Sequence, residues 1–312
     1  MAIGGGSGLA VLLRGLKQVI GSPEQLTAVV TVADDGGSSG RLRRELGVLP
    51  PGDIRNCIVA LADDEDLLAR LFQYRFAGGV GLSGHSFGNL FLTALTGITG
   101  DFYQAILTAE SILSVRGRIL PATLQDVRLR GTGLSGRIYE GESAVGQSGE
   151  QLNELRLLPA RAPAFPPSIE ALENADLILL GPGSLYTSIL PNLLIPGIRE
   201  ATRRSKAKTV MILNLMTQPG ETDHMGAVEH LEAIKQHAGS GLIDAVLVNA
   251  TLPSDALLAH YADTGSQLVR ADSSALKAHG VELVERDLLA DGDLIRHDPD
   301  KLSRAIVELS PH

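Results

Sequence analysis

Apolar and polar positions alternate along the chain in blocks that predict buried strands followed by helices. Leu26 to Val32, Asp176 to Leu180, Thr209 to Leu215 and Ile243 to Val248 are short apolar runs rich in Val, Ile and Leu. Such continuous runs suit strands buried on both faces. Helical spacing separates them, as in Leu9, Leu12, Leu13 and Leu16, in Leu90 to Leu95, and between Met225 and His237. Strands alternating with helices predict an α/β fold: a Rossmann-like, three-layer, mostly parallel sheet covered on both faces. From Ile119 to Gly149 the pattern changes to short alternating pieces, Val127–Arg130 and Arg137–Glu140, separated by glycines. These predict a small antiparallel β insertion with one wet face. The expected organisation is one domain over residues 1–312, with the β excursion near 119–149 and a stiff linker at Pro159 to Pro167. Leu294 to Pro299 predicts a final edge strand, and Asp63 or Asp64 is expected to cap the helix Leu67 to Phe76.

Nearly every predicted strand ends in a polar, glycine-rich loop. The first is Gly4 to Gly8 (GGGSG), whose bare amides before a helix suit a phosphate. The second is Asp34 to Gly40 (DDGGSSG), followed by Arg41, Arg43 and Arg44 and then by Pro50 to Asn56 (PPGDIRN). Later loops are Gly181 to Ser184 (GPGS) and Met216 to Thr222 (MTQPGET). In parallel sheets ligands bind outside the carboxyl ends of the strands, so these loops should converge there. GGGSG is not the regular dinucleotide pattern, because Leu9 stands at its third glycine position. Gly84-His85-Ser86-Phe87-Gly88 matches a nucleophile elbow in letters but lacks the strand that should precede it. His85, Ser86 and Asn89 fit polar ligands or caps better. His224, His230 and His237 lack the spacing of a helical zinc site and are expected on a helix surface.

The chain has 312 residues, 44% hydrophobic and 20% charged, with a formal net charge of −9. An acidic chain without Trp and with 4% aromatics argues against nucleic-acid binding. No apolar run reaches the ~20 residues of a membrane span, and no signal-peptide pattern opens the chain, so a cytoplasmic location is expected. One cysteine, Cys57, excludes an internal disulfide and begins an apolar run, as a buried structural thiol would.

GGGSGL at Gly4 to Leu9, ADDGGSSGRLR at Ala33 to Arg43, PPGDIRNC at Pro50 to Cys57 and GHSFGNL at Gly84 to Leu90 resemble the YvcK proteins of bacteria. So do GPGSLYTSILPNLL at Gly181 to Leu194 and NLMTQPGET at Asn214 to Thr222. These proteins are labelled gluconeogenesis factors and share a superfamily with the CofD phospholactate transferases. The resemblance implies binding of a UDP-sugar, notably UDP-N-acetylglucosamine, and a role in gluconeogenic growth, cell-wall precursor supply and cell shape. It implies ligand contacts from Gly5, Gly6, Ser7 and Gly8, with Ser38, Ser39, Arg41, Asp53, Arg55 and Asn56 in the same cleft.

Two functions compete. In the first, a regulator without turnover and without a required cofactor holds a nucleotide sugar. Its diphosphate lies on the GGGSG loop and is neutralised by Arg41 and Arg44. Asn56, Asn89, Asn214 and Gln218 read the base or sugar, while Gly183, Ser184, His85, Ser86 and Arg296 complete the site. In the second, a transferase binds Mg2+ on Asp34 or Asp35, and an acceptor hydroxyl attacks a diphosphate with His85 or Asp53 as base. A small molecule is the expected main ligand, with neither nucleic acid nor membrane. A homodimer and a protein partner that senses the bound state are open expectations.

Overall fold

The computed structural model describes residues 1–63 and 65–310. A seven-stranded parallel sheet forms the centre, from β1 (Ala2–Gly4), β2 (Thr27–Val30), β3 (Arg118–Pro121), β7 (Leu177–Leu180), β8 (Lys208–Ile212), β9 (Ala245–Asn249) and β10 (Glu282–Arg286). Its order is β10-β9-β8-β7-β1-β2-β3. The α/β class and the small antiparallel sheet are as expected. The latter contains β4 (Arg128–Gly133), β5 (Ile138–Glu140) and β6 (Leu152–Leu158), ordered β5-β4-β6.

β1, β7 and β2 are buried along their whole lengths, as strands between two helical layers must be. From β1 the chain proceeds outward through β2 to β3. From β7 it proceeds the opposite way through β8 and β9 to β10. The direction reverses between the neighbours β1 and β7, and a crevice opens there at the carboxyl edge. Right-handed crossovers send the helices of the two halves to opposite faces. Helix α1 (Gly6–Val19) packs on α3 (Gly52–Leu61) and on the last helix, Pro299–Leu309, while the helix Pro196–Arg204 packs on Pro166–Glu173. Helix α2 (Gly37–Leu46) lies between α1 and α3 in the chain. Helices α4 (Glu65–Gln73), α5 (Phe87–Thr99) and α6 (Phe102–Ile112) follow α3.

Several expectations are corrected. Ile119 belongs to β3, an edge of the main sheet, and the small sheet takes β6 as its third strand. Pro166 and Pro167 open a helix, so the expected linker ends at Phe165. Leu294 to Pro299 is not an edge strand. It makes only the bridge Leu289 to His297, and Asp298 then caps the helix Pro299–Leu309. The true edge beyond β9 is β10, whose sequence ELVER buries only Val284 and carries exposed charges at Glu282, Glu285 and Arg286, as an edge strand can. His230 is buried and donates from Nδ1 to the Gly226 carbonyl at 2.7 Å. His237 Nε2 accepts the Leu155 amide at 3.0 Å. Neither is a free surface residue: His230 is buried, and His237 is half-buried where β6 docks beside the helix. Asp63 stands 3.4 Å from Arg116, and Asp64 lies outside the described residues. Cys57 is buried, which pushes its thiol well above the ordinary range. No single helix among the described residues is long and apolar enough to cross a membrane.

Candidate functional site

The crevice between β1 and β7 is a cleft of about 640 Å3. One wall is the loop Gly5, Gly6, Ser7 and Gly8, where β1 turns into α1. The opposite wall is Pro182, Gly183 and Ser184 after β7, followed by Asn214 to Pro219 after β8. Both turns need glycine. A Cβ at Gly8 would stand 2.5 Å from the Pro182 carbonyl oxygen, so the two loops touch backbone to backbone. Gly6 sits at φ +65°, in the left-handed region.

Helix α1 starts without a side-chain cap, since its N-cap residue is Gly5. Asp53 takes the Gly6 amide, which leaves the first-turn amides of Ser7 and Gly8 beside the cleft. Arg296 is the arginine among the lining residues. Asn214 clamps the β7 loop: its Oδ1 accepts from the Gly183 amide (3.1 Å) and its Nδ2 donates to the Gly183 carbonyl (2.9 Å). Gln218 Nε2 donates to Ser184 Oγ at 2.8 Å. These two amides therefore hold the wall of the cleft.

The other expected residues form a second cluster beside this cleft. Ser38 Oγ and His85 Nδ1 are 2.9 Å apart, and the Ser86 amide reaches Ser38 Oγ at 3.4 Å. Arg55 donates from Nη1 to Ser86 Oγ (2.8 Å) and from Nη2 to Asn56 Oδ1 (2.7 Å). Asn89 Nδ2 donates to Ser39 Oγ at 3.1 Å. Ser86 caps α5 by accepting the Asn89 amide at 3.3 Å and is wholly buried. A serine held by an arginine and a helix amide, with no strand before it, is a structural cap and not an exposed nucleophile. Burial, helped by the charge of Arg41, lowers the pKa of His85. Arg41 itself donates to the Ser83 carbonyl at 2.8 Å, and Arg44 is exposed on α2, so neither lines the cleft.

Asp53 joins the two clusters. Burial and then the Asp34 charge raise it to about 7, against the pull of the Gly6 amide and Arg55. Asp34 Oδ1 accepts the Gly36 amide at 2.8 Å. Asp35 accepts the amides of Glu142 (3.1 Å) and Ser143 (2.9 Å). It thereby fixes the start of the short helix Glu142–Gly146 and delivers Glu142 to the cleft. Glu142 is pushed up to about 8, first by burial and then by Asp34, Asp53, Asp35 and Glu221. Glu221 rises to about 7 through burial, although it accepts the Tyr186 amide at 2.9 Å.

Glu142, Glu221, Tyr261, Ser188 and His297 line the cleft without having been expected there. Glu221 sits within the NLMTQPGET stretch and was legible as part of that loop. Glu142 carries no local signal, because only the long-range bond to Asp35 places it. His297 is held near pKa 4 by burial and is neutral.

The 2-phospho-L-lactate transferase CofD family model matches residues 1–289. The gluconeogenesis factor of Halalkalibacterium halodurans is 48% identical over 312 residues, covering 100% of this chain and 96% of that protein. That of Bacillus subtilis is 48% identical over 307 residues, covering 98% and 96%. The crystal structure of a UPF0052 family member from Bacillus halodurans superposes with a TM-score of 0.93 at 48% identity, covering 98% of each chain. This chain belongs to the CofD family, among its gluconeogenesis-factor members.

Proposed function

We propose that this chain is a regulatory binder of a UDP-sugar, with UDP-N-acetylglucosamine as the leading ligand, that ties carbon supply to cell-wall construction and cell shape. The observation that carries this reading is the meeting, at the β1/β7 crevice, of an uncapped helix start with Arg296 and a rigid polar wall. The Ser7 and Gly8 amides and Arg296 match a diphosphate. Glu142 and Glu221 match hydroxyl donors of a ribose or hexose, and an acid with a raised pKa meets an anionic ligand at lower electrostatic cost. The serine and histidine groups beside the cleft are bound into one another, which suits a fold-holding role better than turnover. The relatives' name, gluconeogenesis factor, supports the metabolic setting.

A transferase reading rests on Asp34 and Asp53. Mg2+ needs one or two carboxylates plus substrate phosphates, and a cation between these two would relieve the repulsion that helps lift Asp53. Asp35 does not fit, since its oxygens serve the Glu142 and Ser143 amides. Among the described residues no group of three or more His, Cys, Asp or Glu side chains is placed to hold a metal alone, so phosphate oxygens would have to complete the shell. When bound, such an ion would neutralise a diphosphate.

Calorimetric titration with UDP-N-acetylglucosamine, GDP and NADP, each with and without Mg2+, separates the two readings. Magnesium-independent binding of the UDP-sugar, with the ligand recovered intact by chromatography, supports the regulator. Magnesium-dependent GDP binding, or release of a nucleoside monophosphate, refutes it.

A further inference from the structure

The two ends of the β1/β7 cleft differ in chemistry. One end is acidic and rich in hydroxyls. Glu142 stands there, on a helix that Asp35 holds from the loop after β2. A Cβ on Gly146 of that helix would lie 3.5 Å from Thr187, and one on Gly6 would lie 3.5 Å from Ser188 Oγ. The other end, on the side of β8 and β9, is lined by Met216, Pro219, Tyr261 and Ile295 and is largely apolar. Glu221, the second carboxylate of the lining, turns back to the Tyr186 amide after β7.

Tyr261 belongs to the helix Asp255–Ala262, which follows β9. Its hydroxyl accepts the Ile295 amide at 3.1 Å, and its carbonyl accepts the amides of Thr264 and Ser266 at 3.1 and 3.0 Å. Gln267 then pairs with the loop after β8: its amide donates to Thr217 Oγ1 (2.9 Å), and the Thr217 amide donates to its carbonyl (2.7 Å). The ring is therefore fixed from both sides against the cleft. Aromatic residues make up 4% of the chain, and most of their rings pack on one another. Phe72 meets Phe87 and Phe91, Tyr74 meets Phe76, and Tyr103 meets Phe165. Tyr261 is instead half-buried at the cleft, with the exposed imidazole of His260 near-perpendicular to it at 5.9 Å.

We propose that Tyr261 is the stacking surface for the nucleobase, which fixes the direction in which a nucleotide sugar lies: base at Tyr261, diphosphate on the Ser7 and Gly8 amides, hexose at Glu142. The inference rests on the nucleotide-sugar reading above and adds the ligand's orientation to it. Such a ligand has the same polarity as the cleft, with a flat ring at one end, phosphates between, and a polyhydroxyl ring at the other. The loops after β1 and β8 are two strand spacings apart, about 10 Å, and a ribose bridges that gap between phosphates and base. The reverse direction would set the base beside the Glu142 carboxyl and the sugar hydroxyls against Met216, Pro219 and Ile295, leaving them without partners. Stacking uses the π-face that every base has, so Tyr261 supplies affinity and direction without choosing among bases. Because the Tyr261 hydroxyl also holds Ile295, the residue next to Arg296, the stacking ring and the phosphate-facing arginine are one connected unit.

The chain has no Trp, so Tyr261→Trp places a single indole at the proposed stacking position of the full chain. UDP and UDP-N-acetylglucosamine are expected to quench its fluorescence, whereas inorganic pyrophosphate, which has no base, is expected to leave it unchanged. In calorimetry, Tyr261→Leu is expected to bind UDP-N-acetylglucosamine about 10- to 100-fold more weakly than the wild type, as loss of one stacked base predicts. Tyr261→Phe keeps the ring and is expected to recover most of that affinity. If Tyr261→Leu melts early, the indole signal decides. An indole that does not respond while calorimetry of the same variant shows UDP binding overturns the proposal, as does a Tyr261→Leu protein that binds like the wild type. A Tyr261→Phe protein as weak as Tyr261→Leu overturns it too, because the hydroxyl and not the ring would then matter. A wild type that binds GDP and not UDP refutes the UDP-sugar reading alone, and quenching of the indole by GDP then upholds the stacking. A wild type that binds neither nucleotide overturns both.

Discussion

Replacing Glu142 by Gln removes a carboxyl group that the fold holds at a cost. Its folded pKa of about 8 stands against an ordinary 4.5. Between those values the unfolded chain has released a proton that the folded chain still binds, so stability falls as pH rises from 4.5 to 8 and is level above. At about 1.4 kcal/mol per pKa unit, the upper limit of that loss is about 5 kcal/mol. Glu142 is only half-buried, and part of the repulsion is shared with Asp53 and Glu221, so about 2 kcal/mol is the magnitude we expect. Unfolding entropy of about 2.1 cal/mol/K per residue converts this to a shift of roughly 3 °C. Differential scanning calorimetry of ligand-free Glu142→Gln should therefore show a melting temperature about 3 °C above the wild type at pH 8, with the two coinciding at pH 4.5. An equal shift at both pH values would mean a packing effect instead. No shift at pH 8 would mean that Glu142 is not held under electrostatic load, and the cleft would lose its acidic character.

Three further perturbations test other parts of the site. Arg296→Ala should weaken binding of UDP-N-acetylglucosamine about 10- to 100-fold by calorimetry, as loss of a charged hydrogen bond predicts, while leaving the melting temperature unchanged. Asn214→Ala frees the Gly183 backbone from both its bonds. It should lower unfolding free energy by about 1–3 kcal/mol in urea titration and weaken the ligand as well. Ser86→Ala leaves Arg55 Nη1 without its partner and uncaps α5. A loss of roughly 2–3 kcal/mol in the same assay is expected, and an unchanged midpoint would show that the cap carries no stability.

The sequence made the sheet and its carboxyl edge legible because buried parallel strands leave long apolar runs, and the glycine-rich loops follow them directly. β7 with GPGS and β8 with its polar loop are examples. β10 was hidden, since three of the five residues of ELVER are charged and exposed and leave no apolar run to read. The loop residues of the cleft could be named, but how they divide between two clusters could not. Helical spacing places Arg41 and Arg44 on α2, whereas only the packing of the Gly78–Gly84 loop draws Arg41 to the Ser83 carbonyl and away from the crevice. Glu142 lay in a stretch that reads as a surface hairpin, and its place depends on Asp35, more than a hundred residues earlier. His237 misled for a similar reason: a polar letter at helical spacing looks solvated until β6 is known to lie against it.

A crystal structure of the chain with UDP-N-acetylglucosamine bears most directly on the account. The diphosphate should lie against the Ser7 and Gly8 amides within reach of Arg296, with a hydroxyl-bearing group beside Glu142 or Glu221. A diphosphate held instead by Ser38, Arg41 and Arg55 on the α2 side would contradict it, and would move the site from the β1/β7 crevice to the neighbouring polar cluster.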